Sequence, residues 1–230
     1  MAIERHDFAS ANALADALAE AVANDLCEGI ADKGMAVLAV SGGSTPKRFF
    51  KALSAQALDW SNVFVTLVDE RWVEPSSDRS NAKLVHDFLL TGDAANARFV
   101  PLWSGGTEPT DEAIEATNDN LGKLPLPFDA VILGMGNDGH TASFFPGGDT
   151  LDAALTSKGP ALPLKAPGAG EPRVTLTLPV LLNTRSLYLH IEGPEKAAAL
   201  EQAMSDGPIE TMPVRAVLRQ KSTPVHIYFA

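Results

Sequence analysis

The sequence predicts an α/β fold of Rossmann-like type, a mostly parallel sheet with helices on both faces, and three observations carry that prediction. Short runs such as Met35 to Val40 and Val63 to Val68 are continuously apolar, the pattern of strands buried on both faces. They alternate along the chain with amphipathic segments of helical period. Polar loops rich in glycine or charge follow directly on the apolar runs, at the strand ends where open α/β sheets bind their ligands.

Ser10 caps a first helix carrying Leu14, Leu18, Val22 and Leu26 at four-residue spacing, with Gly29 or Gly34 ending it. Met35 to Val40 is a strand that runs into Ser41-Gly42-Gly43-Ser44-Thr45-Pro46 and a helical segment, Lys47 to Leu53. Val63 to Val68 is a second strand, ending in Asp69-Glu70-Arg71, with a helix from about Ser80 to Leu90 beyond a polar loop. Phe99 to Leu102 is a weaker strand. Thr110, with Asp111 and Glu112 in the first turn, opens a helix ending near Leu124. Phe128 to Leu133 is the next strand, followed after a long interval by strands Arg173 to Leu178 and Ser186 to Ile191. Pro194 to Met204 is a helix with proline at its start, and Val225 to Phe229 is the last strand. The Gly/Pro/Ala-rich stretch Thr156 to Gly170 reads as a surface loop, with a lid over a site as its functional alternative.

At 230 residues, 45% of them hydrophobic, the chain can bury a substantial core, and residues 1–230 are expected to form one domain. Eighteen basic residues against twenty-nine acidic ones leave a formal charge of −11, which excludes the positive field that nucleic-acid binding needs. An anionic ligand must therefore be held by a local cluster of cations and backbone N–H groups. One cysteine, Cys27, expected as a small core residue, permits no intrachain disulfide. No metal is expected, since no Cys/His run has zinc spacing. The charged start of the chain and the lack of any long apolar segment predict a cytoplasmic protein without a membrane partner.

The stretch from Val131 to Gly147 is the most informative part of the sequence. Gly134, Gly136 and Gly139 match the G-x-G-x-x-G dinucleotide pattern, but Pro146 and Gly147 cut short the long helix that such a fingerprint should open. The glycines instead present His140, which follows Asp138-Gly139 directly after a strand and has a proton affinity suited to transfer near neutrality. His6 and His86 are expected on the surface, His190 and His226 in hydrogen-bonded packing. Ser41 to Thr45 reads as an anion cradle, glycines turning N–H groups inward and Ser41, Ser44 and Thr45 adding hydroxyls. It has neither the G-K-[ST] ending of a phosphate-binding loop nor the G-x-S-x-G of a serine-hydrolase elbow. Asp69 and Arg71 are two apart and share a side if the strand geometry persists. Arg79, Arg173 and Lys196 are further cation candidates.

Taken together, Ser41 to Pro46, Val68-Asp69-Glu70-Arg71-Trp72-Val73, Ser80-Asn81, Gly134 to Ser143 and Pro172-Arg173-Val174-Thr175 resemble the 6-phosphogluconolactonases, a family that shares several of these motifs with the glucosamine-6-phosphate deaminases and isomerases. The resemblance spans most of the chain. Where the deaminases lead from the Asp-Gly-His triplet to a catalytic glutamate in an Asn-Glu-Pro context, this chain has Ser143-Phe144-Phe145-Pro146. The resemblance implies hydrolysis of 6-phospho-D-glucono-1,5-lactone to 6-phosphogluconate in the oxidative pentose phosphate pathway, with no cofactor, by a monomer or small homo-oligomer. It implies His140 as general base, Asp138 or Asp69 orienting that imidazole or the water, and Ser41, Gly42, Gly43, Ser44, Thr45, Arg71, Arg173 and Lys196 as the phosphate site. N–H groups around Gly42 and Gly43 are the expected oxyanion donors. Two other activities fit the same motifs: sugar-phosphate isomerisation or deamination, and non-catalytic sensing of a sugar phosphate.

Overall fold

The computed structural model describes residues 3–230. In chain order its strands and helices are β1 (Ile3–Asp7), α1 (Ala11–Lys33), β2 (Ala36–Val40), α2 (Lys47–Ser54), β3 (Val63–Leu67), β4 (Asp69–Arg71), α3 (Asn81–Phe88), β5 (Arg98–Val100), α4 (Asp111–Leu121) and β6 (Phe128–Leu133). They continue with α5 (Leu151–Thr156), β7 (Ala161–Leu164), β8 (Arg173–Leu176), α6 (Leu178–Leu181), β9 (Thr184–Ile191), α7 (Pro194–Met204), α8 (Val214–Arg219) and β10 (Val225–Phe229).

Seven strands form a parallel sheet in the order β1-β10-β9-β6-β2-β3-β5. Every residue of β2 and β6 is buried, so both faces of the sheet centre are covered, as their unbroken apolar character requires. From β2 the chain builds outward to β3 and β5, then returns to β6 on the other side of β2 and builds toward β9 and β10. The order reverses between β2 and β6, and the carboxyl ends of those two strands are therefore where a ligand crevice belongs.

Local chemistry sets the element ends. Ser10 Oγ accepts from the Ala13 N–H at 3.2 Å to start α1, and Gly34, left-handed at φ 80°, ends it. Leu14, Leu18, Val22 and Leu26 form the buried stripe of α1. Cys27 is exposed and not in the core, because it follows Leu26 around the helix and turns off that stripe.

The strand expected over Val63 to Val68 is interrupted at Val68. Beyond it, β4 leaves the parallel sheet and joins a separate antiparallel sheet of order β4-β8-β7. The Arg173 run is therefore not a member of the parallel sheet. Thr156 to Gly170 is also not simply a loop, since β7 lies within it, and Leu164 and Ala169 pack with Phe145 in a small apolar cluster at the rim of the crevice.

Candidate active site

The crevice between β2 and β6 opens into a cleft of about 290 Å³. The loops after β2 and β6 form two of its walls and are tied together at its floor by Ser41. Both the N–H and the hydroxyl of Ser41 donate to the Ile132 carbonyl, and Oγ accepts from the Gly134 N–H at 2.9 Å. This corrects the expectation that Ser41 donates to a phosphate, because both of its donors are already committed. Gly42, Gly43, Ser44 and Thr45 line the cleft. Gly43 is left-handed at φ 93°, and a Cβ on Gly42 would lie 1.9 Å from Asn81 Oδ1, so each glycine answers a separate geometric demand.

A third wall comes from β4 and its antiparallel partner β8. Asp69 and Arg71 both line the cleft while Glu70, between them, points away, as strand alternation requires. Glu70 accepts from the N–H groups of Arg71, Asn81 and Ala82 and from Ser80 Oγ, so it caps the start of α3 and joins that helix to the strand. Burial nonetheless holds its pKa above the usual carboxylate value. Arg71 and Arg173 face each other in register across β4 and β8. Like charges directly opposite on antiparallel strands repel. Arg173 Nη1 lies 3.7 Å from Asp69 and Nη2 donates to the Ala169 carbonyl, while Arg71 Nη1 donates to the Arg79 carbonyl and Asn81 Oδ1. The Nε of both arginines is buried without a hydrogen-bond partner. Burial lowers the pKa of Arg173, and the neighbouring Arg71 lowers it further against the pull of Asp69. Two desolvated guanidinium groups with spare donors make an anion site.

After β6 the glycine turn is built around His140. Its Nδ1 lies 2.6 Å from Asp138 Oδ1, which also accepts from the His140 N–H at 3.1 Å. The imidazole holds the Asp138 carboxyl below its ordinary pKa, outweighing the opposing effect of partial burial. With Nδ1 engaged, Nε2 is the nitrogen left for chemistry in the cleft. A Cβ on Gly136 would lie 2.2 Å from the His140 ring, so this glycine makes room for the base and not for a pyrophosphate. Thr141 and Phe144 then form an isolated bridge, and the next helix begins only at Leu151. Ala142, at φ 47°, is the one non-glycine left-handed residue among those described, and it lines the cleft. Ser143 Oγ donates to Asp69 Oδ2. Of the two carboxylates expected as candidates to orient the base, Asp138 is the one that contacts it.

Lys196, in the first turn of α7, donates to Thr45 Oγ1 at 3.1 Å, and burial lowers its pKa with only partial opposition from Glu192. The cleft thus brings together every site residue expected from the sequence except Asp138, which stands beside His140. Arg79 lies outside it, its guanidinium gripping Glu171 at 2.7 and 3.0 Å and holding that carboxyl at about 2. Sequence reasoning missed three lining residues. Phe145 stacks on His140 with centroids 4.2 Å apart and lies 5.3 Å beneath the Arg173 guanidinium. Asn81 holds Arg71 and donates to the Asp69 carbonyl. His190, read as packing, is buried and bonded to Glu192 at 2.9 Å, but it also reaches the cleft.

Residues 9–226 match the model of a family described as glucosamine-6-phosphate isomerases/6-phosphogluconolactonase. The chain belongs to that family. A 6-phosphogluconolactonase of Rhizobium meliloti is 50% identical over the full length of both chains. One from Mesorhizobium japonicum is 50% identical over 94% of this chain and 91% of its own. The crystal structure of a 6-phosphogluconolactonase from Shewanella baltica superposes with a TM-score of 0.97 at 40% identity, covering 99% of this chain and 97% of that one. Within the isomerase/lactonase family these lactonases match nearly the whole length of the chain. Among the described residues no helix is long and apolar enough to cross a membrane.

Proposed function

We propose that this chain hydrolyses 6-phospho-D-glucono-1,5-lactone to 6-phosphogluconate, with His140 as general base. The observation that supports this reading most directly is a histidine–carboxylate pair opening into the same cleft as two facing arginines that Asp69 only partly neutralises. The lactone is an activated ester, so a positioned base suffices without a covalent nucleophile. His140 Nε2 removes a proton from water as the water oxygen bonds to C1. The tetrahedral intermediate collapses by breaking the C1 to ring-oxygen bond, and the imidazolium returns the proton to that departing oxygen. Asp138 keeps the proton on Nδ1 in the resting state and stabilises the imidazolium between the two steps. The phosphate is held by Arg71, Arg173 and Lys196 with donors of the Gly42 to Thr45 loop, and the same loop supplies the oxyanion contact. Asp69, fixed by Ser143, orients the incoming water or a sugar hydroxyl. The enzyme works as one cytoplasmic domain, as a monomer or small homo-oligomer.

The test follows freshly generated lactone by NMR, with spontaneous hydrolysis subtracted. His140→Ala is expected to lower kcat by about 10²- to 10⁴-fold, the usual contribution of a general acid–base group. Near-full activity in that variant would move the base to Asp69. Release of ammonia from glucosamine 6-phosphate would establish the deaminase reading instead, and tight binding of 6-phosphogluconate without turnover would establish the sensor.

A further inference from the structure

Glu4, His6 and His226 are far apart in sequence and adjacent in space. Parallel pairing of β1 with β10 sets Glu4 opposite His226, and His6, two residues along β1, projects from the same face. The donor atoms of the three side chains all lie within 4.8 Å of one another, and His226 Nδ1 is 3.2 Å from Glu4 Oε2. Among the described residues it is the one group of three such side chains whose donor atoms converge in this way. None of the three lines the cleft.

The surroundings hold the two imidazoles in place. The His6 ring lies 4.8 Å from that of Tyr228 and 6.0 Å from that of His226, which is itself 5.5 Å from Tyr188. Tyr188 is fixed in turn by its hydroxyl bond to Asp25 on α1. His6, expected on the surface, is half-buried, and its Nε2 is buried without a hydrogen-bond partner. A buried ring nitrogen without a partner, beside a second imidazole and a carboxylate, is a ligand set awaiting a cation.

We propose that Glu4, His6 and His226 form a binding site for a divalent transition metal of the zinc class, tying the edge strand β1 to β10. Two imidazole nitrogens and one carboxylate oxygen suit zinc and its neighbours, whereas calcium and magnesium take oxygen donors. Tetrahedral zinc with bonds of about 2.0–2.2 Å holds its donors about 3.3–3.6 Å apart. Glu4 Oε2 and His226 Nδ1, 3.2 Å apart, already stand at about that spacing, and binding would draw the His6 donor and this pair together. Three protein ligands leave the outward coordination position to solvent. The metal crosslinks the edge strand β1 to its neighbour β10, at the other end of the chain order, and so stabilises the folded chain.

The test titrates zinc chloride into the full-length, chelator-treated protein by calorimetry, with cobalt(II) absorption as a direct report of ligation. One equivalent is expected, with a rise in Tm. His6→Ala and His226→Ala should each weaken binding by at least about tenfold and abolish the Tm rise. Glu4→Gln, at an exposed side chain, carries the test should either histidine variant fail to fold. His140→Ala should keep the full equivalent, and lactone turnover by the metal-free Glu4→Gln and His226→Ala proteins should match the parent. Three results overturn the proposal: no uptake by the parent chain, uptake unchanged when both His6 and His226 are replaced, or uptake lost in His140→Ala alone. The first would leave Glu4 and His226 as an ion pair only.

Discussion

Lys196 carries a charge that two features of its position oppose. Burial lowers its pKa, and the first turn of α7 places it at the positive end of the helix. Sequence alone marks it as a cation at a helix start, a position that is usually solvated; the contact with Thr45, 151 residues away, is what draws it to the cleft. The charged form binds an anion and the neutral form does not, so anion affinity must fall as the pH rises through the lowered pKa. Binding of 6-phosphogluconate, measured by calorimetry from about pH 7 to about pH 10, is expected to weaken from below the ordinary lysine value of about 10.4. Lys196→Met should bind less tightly at neutral pH and lose most of that alkaline decline. An unchanged decline in the variant would remove Lys196 from the site. Phe145 shows the opposite kind of legibility. A phenylalanine after a turn reads as core, and only its two partners, His140 and Arg173, reveal that it joins the base to the anion site.

Most of the parallel sheet was legible because its central strands are apolar runs and α1, α3 and α4 each join a buried stripe to a capping Ser or Thr. Phe128–Leu133, Pro194–Met204 and Val225–Phe229 fall where the pattern puts them. Of the small sheet only β8 was legible, within the run Arg173 to Leu178. β4 is three residues of Asp-Glu-Arg, and its strand character comes from pairing with β8 and from the many bonds to Glu70, not from hydrophobic pattern. β1 was missed for a related reason, since an edge strand with three of its five residues exposed carries little apolar signal. The glycine turn after β6 was legible in kind, and the structure adds which glycine does what. Gly136 has no left-handed φ, so alanine is permitted by the backbone, but its Cβ would lie 2.2 Å from the His140 ring and 2.6 Å from Asp138 Oδ1. The half-exposed ring can swing aside at little cost to stability, and in doing so it leaves Asp138. Gly136→Ala is therefore expected to lower kcat by about 10²-fold or more, with KM and Tm near the parent values. A raised KM with kcat preserved would mean that the turn shapes the substrate pocket and leaves the base in place.

At the scale of the whole molecule, an acidic protein keeps a cationic cleft that its own fold neutralises only in part. Eleven net negative charges do little to relieve Arg71 and Arg173, which face each other on short strands with buried, unpartnered Nε atoms. Asp69 lies 3.7 Å from Arg173 but accepts its hydrogen bond from Ser143, so its pairing with the arginine is partial. The fold without ligand therefore carries a repulsion that a bound phosphate removes, and ligand affinity and stability are coupled through these two side chains. For the parent protein, 6-phosphogluconate at about 100 times its Kd is expected to raise unfolding stability by about 2.7 kcal/mol. Arg173→Met keeps most of the side-chain bulk and removes one of the opposed charges. Its ligand-free form should be less stable than the parent, because buried Asp69 loses its cationic neighbour and the Ala169 carbonyl its donor. Its KM should rise roughly ten- to a hundredfold, the equivalent of one charge-assisted hydrogen bond at about 1.5–3 kcal/mol, while kcat stays close to the parent value. At the same ligand concentration its gain in stability should shrink accordingly. Urea unfolding with and without ligand, alongside steady-state kinetics, separates this from a purely structural role, in which stability would fall while KM and the gain from ligand stayed at the parent values.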